Sequence, residues 1–156
     1  MPADRVQERV LAEEYPSEPG WYLIKTNMPL AILESINPSG HKAHTNIPQT
    51  INNASLLQNL GLIITQSGNE DYVVYNGEAD DLESRAREHE RGHPKTACLG
   101  LSDYRISDEH RWTFCYVAAS SCRFSTSMDK TKLKLLRITI EQGWRARHGW
   151  PILCRK

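Results

Sequence analysis

Apolar residues in this chain fall into short runs between polar stretches, and the spacing inside each run changes along the sequence. Residues 4–14 place Val6, Val10 and Leu11 near helical spacing, which predicts an amphipathic helix ended by Pro16, Pro19 and Gly20. Trp21 to Lys25 (WYLIK) predicts a short strand. Asp71 to Tyr75 (DYVVY) alternates and is rich in β-formers, so it predicts a second strand, closed by Gly77. The stretch EADDLESRAREHERG then predicts a helix with Asp80 or Asp81 as N-cap, stopped by Gly92 and Pro94. Trp112 to Ala118 (WTFCYVA) predicts a third strand. Met128 to Arg147 predicts a longer helix, weakened at its centre by Ile138, Thr139 and Ile140 and ended by Gly149 and Pro151.

The stretch from Thr26 to Gly68 is less regular and holds Pro29, Pro38, Gly40, Pro48 and Gly61. Within it, Ser55 to Thr65 (SLLQNLGLIIT) predicts a short helix and an apolar strand. A bare loop of that length would be unusual, so the stretch is expected to be an insertion with structure of its own. No repeat or low-complexity segment interrupts the chain. The order strand, insertion, strand, helix, strand, helix implies a small α+β sandwich. A length of 156 residues fits a single domain over 1–156.

Composition narrows the class. A hydrophobic fraction of 39% and a charged fraction of 24% are those of a soluble globular protein. No run approaches the ~20 apolar residues of a membrane span. The N-terminus is acidic and polar, without the apolar core of a secretory signal, so a cytoplasmic location is expected. Cys98, Cys115, Cys122 and Cys154 form no CxxC pair and read as free thiols of a reducing compartment.

Charge alters the picture by its distribution. The formal net charge of zero counts mildly against nucleic acid. Yet Arg123, Lys130, Lys132, Lys134, Arg137, Arg145, Arg147, Arg155 and Lys156 face only Asp129 and Glu141 over residues 123–156, while the first twenty residues are acidic. A local basic patch and an ordinary solvated helix face both fit this pattern.

Taken singly, the candidate side chains have ordinary readings. Tyr22 is a strand tyrosine, Tyr75-Asn76-Gly77 a turn, Arg85 a solvated cation and Glu141 a surface carboxylate. Together they form a pattern. Pro19-Gly20-Trp21-Tyr22-Leu23 resembles the first half of the GIY-YIG nuclease signature, with Trp21 in the Ile place. Tyr75-Asn76-Gly77 resembles the second half, with Asn76 in the Ile place. The run Gly77 to Arg85 is similar to the family's next stretch, with Leu82 three residues before the arginine. Arg85 and His89 reproduce the Arg-x-x-x-His arrangement of some members, certain restriction enzymes among them, and one helical turn puts them on one face. Ile140-Glu141 followed by Trp150-Pro151-Ile152-Leu153 resembles the family's last element, a helical metal-binding Glu before a Pro-containing tail. The chain departs from the pattern in separating the half-motifs by some fifty residues and in placing Cys154 near the position of the family's usual Asn.

The resemblance implies a central three-stranded antiparallel sheet flanked by helices, with residues 26–69 inserted between the first two strands. It implies a metal-dependent DNA endonuclease, with Tyr22, Tyr75, Arg85, His89 and Glu141 at its site. Glu141 would hold Mg²⁺ (or Mn²⁺) with water completing the shell, since Mg²⁺ commonly keeps several waters. Arg85 would stabilise charge on the phosphate, for which its fork of donors suits better than a lysine. Tyr22 would act as general base or orient water, Tyr75 would hold the phosphate or the nucleophile, and His89 would relay a proton. The histidine pairs His41/His44 and His89/His93 do not supply four convergent ligands, so no zinc site is expected. The insertion, with His41, Lys42, His44, Asn46, Gln49, Asn52 and Asn53, reads as a DNA-reading arm, a dimer-forming arm or a polar loop. The expected activity is restriction-type cutting of double-stranded DNA by a homodimer. A structure-selective repair nuclease and a non-catalytic binding module are the alternatives.

Overall fold

A computed structural model describes residues 14–38, 40–54, 59–104, 109–121 and 129–154. Residues 4–13 of the first expected helix, and residues 55–58 of the helix expected within 55–65, lie outside that set. The described chain is an α+β domain built on a three-stranded antiparallel sheet of order β2-β1-β3. The strands are β1 (Gly20–Thr26), β2 (Tyr72–Ala79) and β3 (Trp112–Ala118). β1 is the central strand, and its alternation sorts the two faces. Tyr22 and Ile24 enter the main core with Val74, Phe114, Leu82 and Leu153. Trp21 packs with Val117 and Ala119 in a second, smaller cluster.

β2 runs further than the sequence predicts, because Gly77 continues the strand to Ala79 rather than closing it. Gly77 pairs opposite Tyr22, and a Cβ there would lie 2.4 Å from the Tyr22 hydroxyl oxygen. The glycine serves close approach of a ring to the backbone, not a turn.

Helix α1 (Leu30–Ser35) and helix α2 (Ile47–Asn53) stand in the β1–β2 connection. Pro29 is the N-cap of α1, and Pro48 sits in the first turn of α2, where a missing N–H costs nothing. Leu33, Ile47 and Ile51 carry this connection into the main core. The apolar strand expected near Ile63 is an isolated bridge to Trp150 instead, with Trp150 N–H donating to the Leu62 carbonyl at 2.8 Å.

Helix α3 (Leu82–Arg91) begins at Asp81, whose carboxylate accepts from Ser84 N–H at 3.1 Å. Helix α4 (Lys130–His148) begins at Asp129, which accepts from Lys132 N–H at 2.8 Å. Gly92 (φ 87°) and Gly149 (φ 105°) cap the two helices in backbone that favours glycine. Arg137 and Arg145 of the basic C-terminal run are buried, whereas Lys130, Lys132, Lys134 and Arg147 are exposed. Arg137 turns inward to Glu78 (2.9 Å) and to Asp80. Among the described residues no helix is long and apolar enough to cross a membrane.

Candidate active site

Four elements contribute side chains to a single cleft of about 410 Å³. Tyr22 comes from β1, Tyr75 from β2, Arg85 from α3 and Glu141 from α4, and all four line the cleft. Residues as far apart in sequence as Tyr22 and Glu141 are brought together because β1 is central and α4 packs against both β1 and β2.

Arg85 organises one wall. Its Nε donates to the Tyr22 hydroxyl at 3.0 Å, and Nη2 donates to the Tyr75 hydroxyl at 3.4 Å. Its Nη1 donates to Glu88 at 2.9 Å and to the Ala97 carbonyl at 2.9 Å. The Tyr22 and Tyr75 rings stack at 6.1 Å with planes 10° apart. A guanidinium with this many partners has little freedom left, so its charge is fixed in place before any ligand arrives.

His89 does not line the cleft; it is fully buried behind Tyr22, with Nε2 2.9 Å from the Tyr22 hydroxyl. Its Nδ1 accepts from Leu99 N–H at 3.1 Å, so that nitrogen carries no proton. Burial, with Arg85 adding to it, holds the ring's pKa well below its usual value and keeps the imidazole neutral. The proton therefore sits on Nε2, which donates to Tyr22. The Tyr22 oxygen accepts from both His89 and Arg85, which leaves its own hydroxyl proton for a third partner. Burial raises the Tyr22 pKa well above that of a free tyrosine, although Arg85 opposes the rise. Tyr75 is raised for the same reason. Both are neutral phenols near neutral pH.

The opposite wall belongs to α4 and β2. Glu141 is paired with Arg145, one helical turn on, at 2.8 Å. Burial raises the Glu141 pKa, Arg145 opposes that rise, and the nearby Glu78 charge adds to it. Arg145 also donates through Nε to the Asn76 side-chain oxygen at 2.6 Å and through Nη2 to the Asn76 carbonyl at 3.2 Å. Its guanidinium carbon lies 4.7 Å from the centre of the Trp150 ring, and its Nη1 is buried without a hydrogen-bond partner among the described residues. Cys154 closes this corner. Its sulfur accepts from Asn76 N–H at 3.4 Å, and burial pushes the thiol pKa up to about 11. Cys98, Cys115 and Cys154 are all free and buried, while Cys122 lies outside the described residues.

Arg145 and Asn76 are the site residues that the sequence did not single out. An arginine one turn after a glutamate on a basic helix reads as a solvated pair. Only the buried asparagine of β2 and the Trp150 ring turn it into part of the cleft. Glu141 is the acidic group best placed to hold a cation. No cluster of three or more His, Cys, Asp or Glu side chains converges among the described residues. No family model matches this sequence, and no curated protein and no solved structure matches it.

Proposed function

We propose that this chain is a metal-dependent endonuclease of the GIY-YIG type, hydrolysing phosphodiester bonds of double-stranded DNA. The observation that carries the reading is the meeting of Tyr22, Tyr75, Arg85 and Glu141 in one cleft from four separate elements. Those are the positions at which the sequence resembles the family motif, and the motif needs them side by side. Two carboxylates line the cleft, Glu78 and Glu141, and Glu78 is tied to Arg137, which leaves Glu141 as the donor that would hold Mg²⁺ or Mn²⁺ with water filling the remaining positions. Such an ion would stabilise the leaving oxygen and one phosphate oxygen.

The remaining work falls to the chain's own groups. Arg85 meets the phosphate oxygens on which charge builds. Tyr75 holds the phosphate from the same wall. Tyr22, a neutral phenol with both oxygen lone pairs engaged by donors, presents its proton to the cleft and orients water or a phosphate oxygen. The raised Tyr22 pKa favours this orienting role over that of general base. His89 acts through Tyr22 as a neutral donor, which replaces the proton-relay role. The described residues hold one such cleft, so we propose that two chains act together as a homodimer to cut both strands in a restriction-type role.

Plasmid nicking tests the reading, with Mg²⁺ and with Mn²⁺, using wild type, Arg85→Ala and Glu141→Ala. Metal-dependent cutting lost in both variants supports the site, and discrete fragments support the restriction-type role. Cutting confined to branched or damaged DNA assigns a repair role. Binding without cutting of any DNA assigns a non-catalytic module. Full cutting by both variants places the chemistry elsewhere.

A further inference from the structure

Beside the cleft lies a second hollow of about 660 Å³, formed between α2 and the C-terminal segment. Cys154 lines both spaces. The stacked pair Arg145 and Trp150 has one member in each, since Arg145 lines the cleft and Trp150 lines the hollow. The cleft and the hollow thus share one wall.

The lining has the chemistry of a base reader. Gln49 and Asn53 stand one helical turn apart on α2, both exposed and both on the hollow. Neither side chain hydrogen-bonds another described residue. Lys42 adds an exposed cation at the rim, and Trp150 and Ile152 supply an apolar wall. The structure also separates the four amides of α2 and its cap, Asn46, Gln49, Asn52 and Asn53. Asn46 is engaged as the cap of α2, its oxygen accepting from Gln49 N–H at 3.1 Å, and Asn52 does not line the hollow. Two amides are left with both faces open. An amide side chain matches the N6 and N7 edge of adenine bidentately, whereas a lysine answers a phosphate as a point charge.

We propose that this hollow is the sequence-reading subsite of the protein, with Gln49 and Asn53 recognising an adenine edge next to the scissile phosphate and Lys42 contacting the backbone. The proposal rests on the endonuclease reading, which supplies the phosphate in the neighbouring cleft. It gives the β1–β2 connection a role that the sheet itself does not require.

The test is selection from a library of duplexes with a randomised core, bound in Ca²⁺ so that binding is read without cutting. The wild type is expected to enrich adenine at one or two adjacent positions. Q49A and N53A are expected to lose that preference by about 5- to 100-fold at those positions, with the salt dependence unchanged. K42A is expected to keep the preference and lower the slope of log K against log salt by about 1. Gln49→Glu, isosteric at an exposed site, is expected to move the preference toward cytosine. A wild-type preference that all three amide variants keep overturns the proposal and leaves the endonuclease reading standing. Sequence-blind binding by the wild type does the same. An amide variant that changes oligomeric state and not preference assigns the hollow to a second copy of the chain. Failure of the wild type to bind any duplex removes both readings.

Discussion

On the α3 wall of the cleft a guanidinium is presented and its partners are two phenols, one carboxylate and one carbonyl. On the α4 wall a carboxylate is presented, and the guanidinium that serves it is held more deeply. Arg85 keeps 16% of its side chain exposed and Arg145 only 6%, while Glu141 keeps 15%. Each arginine has an acidic residue within one turn on its own helix, Glu88 for Arg85 and Glu141 for Arg145. Of the first pair only the arginine lines the cleft, whereas of the second both members do, the arginine being the more buried. Under the proposed function, Arg85 on the first wall would meet an anion and Glu141 on the second a cation. A phosphodiester bridged to a metal ion has this division of charge.

The contrast is sharpest in kinetics against stability. Arg85→Ala is expected to lower the single-turnover cutting rate by about 10³–10⁵-fold, with Arg85→Lys recovering little because the fork is lost. Arg145→Met is expected to act first on the fold. It strips Glu141 and Asn76 of their partner, and breaking a buried pair from one side costs about 3–5 kcal/mol, read as a drop in denaturant midpoint. If Arg85→Ala proved the more destabilising and Arg145→Met the slower enzyme, the assignment of the two walls would be reversed.

A smaller effect is expected at the seam between the walls. Gly77→Ala places a Cβ 2.4 Å from the Tyr22 oxygen, so the ring must move. Displacement on the order of 1 Å near a reacting centre costs about 10²-fold in rate, with about 1–3 kcal/mol of overpacking. Equal rates for Gly77→Ala and wild type would show that Tyr22's position is not critical.

The smallest effect concerns pH. His89 is held neutral in the fold, while in the unfolded chain it takes up a proton below about pH 6.5. The unfolded state then binds more protons, so this group's contribution to stability is complete above that pH and declines as pH falls below it. Thermal melts of wild type and His89→Gln between pH 8 and pH 5.5 are expected to converge as the solution becomes more acid. Parallel curves would mean that His89 is not held neutral.

What could be read from the sequence was what local pattern determines. Strand residues 21–25 and 112–118 emerge from alternation, and a cap at Asp80 or Asp81 from short-range hydrogen bonding; the structure keeps the strands and selects Asp81. Tyr22, Tyr75, Arg85 and Glu141 were legible only as a set, by resemblance. The prolines made the stretch 26–68 look irregular, yet Pro29 and Pro48 stand at helix starts, where a proline gives up no hydrogen bond. Gly77 misled, since the reason for it is a ring on the neighbouring strand. The burial of Arg145 was illegible for the same kind of reason, as Asn76 and Trp150 reach it from other elements.

The imidazole of His44 offers a last consequence. It is packed against Gly92 and Gly100, takes the His93 N–H at 3.2 Å and is paired with Asp103. Either side of it, Thr45 N–H donates to the Cys98 carbonyl at 2.8 Å, and Cys98 N–H donates to the Ala43 carbonyl at 3.2 Å. The loop so gripped is the one whose Leu99 N–H holds His89 and whose Ala97 carbonyl holds Arg85. The β1–β2 connection and the far end of the cleft thus form one cooperative opening unit. In native-state hydrogen exchange the amides of Thr45, Cys98 and Leu99 should share a single opening free energy, below that of the β1 amides. Whatever seats itself on the connection would then raise that opening energy, and with it the fraction of time the arginine wall stands assembled.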